Sequence, residues 1–369
     1  MLILALETSC DETSAAVLEF QPISDKFQLL SNVVSSQVKI HSAWGGVVPN
    51  LAAREHLKNI LPIIEKSTEE AKTNLEKIDL FCITQGPGLI PALLIGTNAA
   101  KTLSYYYQKP LLGIHHIEGH IYANFLKNNK NGSLNRHAFP ILNLVVSGGH
   151  TQLILMKNHL DYQIIGQTQD DAAGEAFDKV AKILNLGYPG GPIVSKKAEE
   201  AKKIIANNKE FSQLEFPRPM IKSGNSDFSF SGLKTAVLYF FKELENQNLD
   251  EEKMENWKKV ICKAFQDAVI DVLAQKTLKE VKKRNPKTVL LSGGVAANKE
   301  LRKQLEKEIK KERSEVNFSC PELNFCGDNA AMIAVAGLAR FKKLSKEKKL
   351  NQLKTNWRDL EANSNLQIN

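Results

Sequence analysis

The chain has 369 residues, 43% of them hydrophobic and 24% charged, which is too apolar for a disordered chain and long enough for two domains. Lysine and arginine exceed aspartate and glutamate by 49 − 41 = 8, a mild basic bias that suits an acidic partner such as RNA. No apolar run approaches the roughly 18 residues of a membrane span, and Met1–Glu7 lacks the basic segment of a signal or transit peptide, so a cytoplasmic setting is expected.

Leu2–Leu6 reads as an apolar strand, Thr8–Glu12 as a polar turn presenting Thr8, Ser9, Asp11 and Glu12, and Thr13–Phe20 as the returning strand. Cys10 lies in that turn, either as a small packed side chain or as a nucleophile, with no histidine near it in sequence. It is one of five cysteines without CxxC spacing, which fit reduced thiols better than disulfides or a zinc site. Lys77–Thr84 reads as a buried strand ending in Gln85-Gly86-Pro87-Gly88, followed by a helix over Ala92–Tyr107. A polar loop is expected over Asn128–His137. Ile141–Val146, the turn Ser147-Gly148-Gly149-His150 and Thr151–Met156 then repeat the opening hairpin about 140 residues later, which points to a duplicated lobe.

Helices are expected at Glu175–Leu184, Trp257–Val281 and Asn298–Lys311, with a strand at Thr288–Leu291. Gly187–Ser231 reads as an irregular, substrate-facing insertion holding a basic helix, Ser195–Asn208. Beyond about Leu344 the chain is Lys-rich and loses periodicity, so a poorly packed tail is expected over 344–369.

Three groups of residues carry chemistry. In His115-His116-Ile117-Glu118-Gly119-His120, a helix would place His116 and His120 one turn apart on the same face, at a spacing one metal ion can bridge. His115 points about 100° away. An HxxxH pair also occurs on ordinary packed helices, and Ile117 stands where a metalloprotease has its general base. Asp328, in Gly327-Asp328-Asn329-Ala330-Ala331, offers a third ligand or else a helix N-cap. Two imidazoles and a carboxylate suit Fe(II) or Zn(II).

The glycine turns at Ser147-Gly148-Gly149, Gly190-Gly191 and Ser292-Gly293-Gly294 form the second group. Singly each reads as an ordinary turn; together they suit a phosphate-bearing, nucleotide-type ligand. No P-loop or GxGxxG pattern is present. The third group is acidic. Asp11 and Glu12 sit on the first turn, and Asp170, Asp171, Glu175 and Asp178 surround Ala172-Ala173-Gly174, either as caps or as partners for a hydroxylated ligand, with Asp178 placed to meet a ribose. Phe228-Ser229-Phe230-Ser231-Gly232-Leu233-Lys234-Thr235 fits RNA contact and lobe packing equally well.

LETSCDET (6–13), HHIEGH (115–120), VSGGHTQL (146–153), DDAAGEAFDKVAKILNLGYPGGP (170–192), FSFSGLKTA (228–236), LSGGVAAN (291–298) and GDNAAMIA (327–334) together resemble the tRNA N6-threonylcarbamoyladenosine transferase family, once known as O-sialoglycoprotein endopeptidase. The match runs in order over about residues 1–340, and the opening motif is similar to the bacterial and mitochondrial branch. The resemblance implies an α/β, actin-like and Hsp70-like duplicated two-lobe fold with the ligand cleft between the lobes. Its lobes would be 1–125, completed by a helix at about 327–343, and 138–326.

The resemblance also implies transfer of threonylcarbamoyl from threonylcarbamoyl-AMP to N6 of adenosine 37, in the anticodon loop of tRNAs reading codons that begin with A, with release of AMP. His116, His120 and Asp328 resemble its metal ligands, for one divalent ion, Fe(II) ahead of Zn(II). Val145, Val146, Ser147, Gly148, Gly149, Asp178, Gly191 and Asn298 resemble its adenylate-contacting positions. Asp11 or Glu12 would receive the N6 proton. The implied partners are a catalytically inactive paralogue of the same fold and a small P-loop ATPase. Two other classes, an actin-like ATPase and a metalloprotease, share some of these features.

Overall fold

The computed structural model of the chain describes residues 1–127, 131–350, 353 and 355–368. Leu2–Glu7 (β1), Glu12–Gln21 (β2), Lys26–Ser36 (β3), Leu80–Gly86 (β4), Leu111–His115 (β5), Leu126–Lys127 (β6) and Asn131–Ser133 (β7) form one sheet in the order β5-β4-β1-β2-β3-β7-β6. Ile141–Val146 (β8), Thr151–Asn158 (β9), Asp161–Gln167 (β10), Thr288–Ser292 (β11) and Asn317–Ser319 (β12) form a second, ordered β10-β9-β8-β11-β12. The run β3-β2-β1-β4-β5 and the whole second sheet are the same arrangement. In each, an antiparallel hairpin gains parallel strands on the far side of its first strand. The duplication read from the two hairpins is therefore one of complete sheets.

The helices are Val38–Ser42 (α1), Pro49–Glu70 (α2), Ile90–Tyr107 (α3), His116–Tyr122 (α4), Ala173–Ile183 (α5), Gly190–Asn207 (α6), Ser231–Glu245 (α7), Glu251–Arg284 (α8), Lys299–Glu312 (α9), Ala330–Lys346 (α10) and Asn356–Asp359 (α11). Strand periodicity distributes them. In β1, Leu4 and Leu6 enter a core with α2 and α3, whereas Ile3 and Ala5 enter the core that holds α4 and α10. In β8, Leu142, Leu144 and Val146 face the layer of α5 to α9, while Ile141 and Val145 join the α4 and α10 core. The helices α4 and α10 therefore pack among side chains from both sheets. The small residues of α10, Ala330, Ala331, Ala334 and Ala336, are all fully buried there.

Several expectations change. The polar connection over 128–137 adds β7 to the first sheet, where Lys26–Gln28 pair with Asn131–Ser133; its residues 128–130 lie outside the described ones. The basic helix of the insertion starts at Gly190, five residues earlier than Ser195, and buries Val194, Ala198 and Ala201. Phe228 and Phe230 are fully buried, which assigns those two rings to packing.

The tail is packed in the parts described. Leu353, Leu360 and Ile368 are buried, and Trp357 lies 4.7 Å from Tyr105, ring centre to ring centre. It carries no periodic pattern because single side chains anchor an irregular crossing, so no continuous helical face is needed. Among the described residues, no helix is long and apolar enough to cross a membrane.

Candidate metal centre and cleft

The strand β5 runs directly into α4, and His115 makes the join. Its Nδ1 accepts the Ile117 N–H at 3.1 Å, capping the helix, and its Nε2–H donates to the Leu366 carbonyl at 3.0 Å. These two partners settle the tautomer. His116 and His120 follow on one face of α4, with ring centres 4.6 Å apart.

Asp328 arrives from the segment before α10. Its Oδ1 lies 3.6 Å from His116 Nε2 and 3.3 Å from His120 Nε2, and one ligand atom from each of the three residues falls within 4.8 Å of the others. The cap of α10 is Asn329, whose side chain accepts the Met332 N–H at 3.2 Å. Asp328 is thereby left free to act as a ligand.

These residues fit a divalent ion. His120 is 1% exposed, and neither ring nitrogen has a hydrogen-bond partner. Its polar neighbour is Asp328 at 3.3 Å; buried ring nitrogens without hydrogen bonds are costly, and coordination would relieve them. His116 turns Nδ1 towards Ser9 Oγ at 3.1 Å and Glu7 Oε2 at 3.3 Å, leaving Nε2 for an ion. Glu7 is held in turn by the Ser9 N–H and the Thr84 hydroxyl, each at 2.5 Å.

A carboxylate behind a ligating imidazole is the usual way to orient it and raise its basicity. Glu7 was not singled out in the sequence, and Ser9 only as a residue of the first turn; the available signal for Glu7 was a carboxylate closing an otherwise apolar strand. Burial disfavours an imidazolium at His116, yet Asp328 and Glu7 outweigh it and lift the group to about 9. Burial likewise opposes the Asp328 carboxylate, but His116 and His120 hold it well below the usual range.

Glu118, the other acid of the motif, is fully buried and pairs with Arg340 at 2.7 Å, and Tyr162 donates to it at 3.1 Å. It is a structural ion pair and does not serve as the base a metalloprotease needs.

The first turn closes over this centre. Asp11 is buried rather than presented to solvent, and Glu12 accepts the Ser36 hydroxyl at 3.1 Å. Burial, then the charges of Asp11 and Asp328, push the Glu12 carboxyl well above its ordinary value. Burial and the same acids push the Cys10 thiol up, the opposite of an activated nucleophile. His56 bonds the Cys10 carbonyl at 3.0 Å.

The glycine segments meet at the other wall. Gly174, at the start of α5, packs so tightly that a Cβ would sit 2.6 Å from the Ser147 carbonyl oxygen and 2.9 Å from the Gly148 nitrogen. Gly293 has φ +91°, and a Cβ there would lie 2.4 Å from the Val146 oxygen, so no other residue suits it. Gly148 and Gly149 have open space around them. Gly190-Gly191 is the first turn of α6 rather than a free-standing turn, and Asp178 Oδ1 accepts the Gly190 N–H at 2.7 Å. Burial lifts the Asp178 carboxyl, with Asp11 adding to the effect. Burial and then Asp11 also raise the Tyr188 phenol, so the acidic turn is felt across the cleft.

Not every expected side chain reaches that cleft. Val145 and Val146 are fully buried strand residues entering opposite cores, and what they contribute is the position of the turn after them. Asn298 donates to Ser195 at 3.0 Å and Gln266 at 2.8 Å while its oxygen caps α9. Asp170 and Asp171 are engaged with Ser229, Phe230, Ser231, Lys179 and Lys234.

A family profile described as TsaD: tRNA N6-adenosine threonylcarbamoyltransferase matches residues 28–335. The tRNA N6-adenosine threonylcarbamoyltransferase of Thermosipho africanus is 46% identical over 343 residues, 93% of this chain and 95% of its own length. That of Listeria welshimeri is 45% identical over 340 residues, 92% and 91% of the two chains. Among solved structures, full-length HypF in its phosphate- and nucleotide-bound form covers 93% of this chain and 46% of its own, with a TM-score of 0.54 and 11% identity. HypF of T. kodakarensis covers 96% and 49%, with a TM-score of 0.53 and 14% identity. At such identities the likeness is one of fold, and the duplicated, two-lobe α/β architecture is the shared feature.

Proposed function

This chain belongs to the tRNA N6-adenosine threonylcarbamoyltransferase family, whose members join a threonylcarbamoyl group to N6 of adenosine in tRNA, and we propose that it does so beside His116, His120 and Asp328. The acceptor is adenosine 37, single-stranded in the anticodon loop, so its base edge is free without opening a duplex. The donor is threonylcarbamoyl-AMP, bound between a lobe of residues 1–125 with 327–343 and a lobe of 138–326. N6 forms a bond to the carbamoyl carbon, the bond from that carbon to the phosphate oxygen breaks, AMP leaves, and N6 gives up a proton.

The residues divide this work. Gly148 and Gly149, with open space around them, offer backbone N–H groups to the phosphate and to charge developing on the acyl group, while Ser147 holds the turn by donating its N–H to the His150 carbonyl at 2.8 Å. Asp178 and Gly191 meet the nucleoside at the start of α6. Asn298 ties α6 to α9 beneath it, and Val145 and Val146 set the height of the turn. Glu12 takes the N6 proton, its basicity raised by burial and by Asp11. Fe(II), or Zn(II) in its place, held by His116, His120 and Asp328 would supply Lewis acidity at the acyl-phosphate oxygens.

The reaction belongs in the cytoplasm, with an inactive paralogue of the same fold and a small P-loop ATPase as partners. Exposed Leu57, Leu61 and Leu94 on α2 and α3 leave apolar surface that a partner would cover.

The observation that supports this reading best is the convergence of side chains from α4 and from the segment before α10 around a buried His120 whose ring nitrogens have no hydrogen bond. The test combines purified protein, its partners, tRNA and threonylcarbamoyl-AMP, with the modified nucleoside measured by mass spectrometry and metal by elemental analysis. His120→Ala should lose both metal and product. Wild-type product from a metal-free variant would refute the metal role, and unchanged tRNA modification in depleted cells lacking a second copy would refute the activity.

A further inference from the structure

The segment Leu360–Ile368 lies outside residues 28–335 and passes over the end of the first sheet. Leu360 is buried in the core of α2 and α3, and Ile368 in the core of α4 and α10, so the segment crosses from one face of the sheet to the other. Between these anchors its backbone is tied to strand ends. The Asn363 N–H donates to the Gln85 carbonyl at 2.9 Å, and the Gln85 amide donates to the Glu361 carbonyl at 2.9 Å. Lys101 holds the Leu360 carbonyl at 3.0 Å, and the Leu366 carbonyl receives His115 Nε2–H at 3.0 Å. The last contact matters most, because the other nitrogen of the same ring caps α4 through Ile117, and α4 carries His116 and His120.

We propose that residues 360–368 are a strap which, through His115, fixes the start of α4 and so sets the affinity and geometry of the metal centre. His115 is a positioning residue: it touches neither ion nor substrate, and its two hydrogen bonds join the strap to the first turn of the ligand helix. This inference rests on the reading of His116, His120 and Asp328 as ligands. With the strap gone, α4 keeps its sequence but loses the tether that orients its first turn. Loss of such supporting contacts weakens metal sites by about 10–100-fold.

The test uses Co(II), added to metal-free protein and followed by its visible absorption. Two variants are compared with the full chain: one stopped after Leu360, and His115→Asn. Asparagine can cap α4 but is too short to reach the Leu366 carbonyl, so it isolates the tether from the cap. Both variants should remain folded by circular dichroism, bind Co(II) at least about ten-fold more weakly, and show a shifted absorption band. A peptide of residues 361–369 should restore affinity to the shortened chain and leave His115→Asn unchanged. Unaltered affinity and spectrum in a folded His115→Asn protein would overturn the strap while leaving the ligand assignment standing. Failure of the wild-type chain to take up one Co(II) would overturn both. Should the shortened chain not fold, the full-length His115→Asn protein decides alone.

Discussion

Glu7 Oε2 lies 3.3 Å from His116 Nδ1 in a buried contact. The carboxylate closes β1, and the imidazole opens α4 more than a hundred residues later, so the first sheet itself orients this ring. Glu7→Gln keeps the size and an acceptor for Ser9 but removes the negative charge behind the ring. Zn(II) or Co(II) affinity should fall about 10–100-fold, with thermal unfolding of the metal-free protein little changed. Titration with a competing chelator measures this, and wild-type affinity in the variant would remove Glu7 from the centre.

Asp328 and Asn329 are neighbours with separable duties. Asp328→Asn should eliminate stoichiometric metal and product formation while the cap of α10 persists. Asn329→Ala should do the reverse, costing about 1 kcal/mol of stability through the lost cap while metal still binds. Elemental analysis beside denaturant unfolding distinguishes the two, and equal metal loss in both would show that the segment acts as one unit.

The raised His116 couples metal and pH. Its folded value of about 9 exceeds the ordinary 6.5, so in metal-free protein the imidazolium contributes stability that is fully present below pH 6.5. That contribution is lost as pH rises through about 9. Metal-free protein should therefore lose thermal stability between pH 7 and 9, and loaded protein, with the proton already displaced, should not. Metal uptake at pH 7 should release a proton, seen as a buffer-dependent heat in calorimetry. A flat pH profile for metal-free protein would contradict the arrangement.

Gly174 and Gly191 predict opposite behaviour. A methyl at Gly174 would meet the Ser147 oxygen at 2.6 Å and displace the phosphate-facing turn, so Gly174→Ala should lower both stability and turnover. Gly191 has open space, and Gly191→Ala should unfold like the wild type while raising KM for the adenylate. Unchanged KM in Gly191→Ala would remove that position from the nucleotide wall.

Local chemistry in the sequence determined the repeated hairpins, the run from β5 into α4 and the shared face of His116 and His120, because strand alternation and the helical turn are set by neighbours a few residues apart. The motifs resembling the transferase family also picked out His116, His120 and Asp328, whose ligand atoms the structure brings within 4.8 Å of one another. Tertiary structure alone decided that Asn329, and not Asp328, caps α10, that Glu118 turns away to Arg340, and that Glu7 stands behind His116. Each depends on where two segments far apart in the chain come to rest. The tail shows the same division most plainly. Its Lys-rich, aperiodic sequence reads as loose because its order comes from Leu360, Ile368 and a few backbone hydrogen bonds to strand ends that exist only once the sheet has formed.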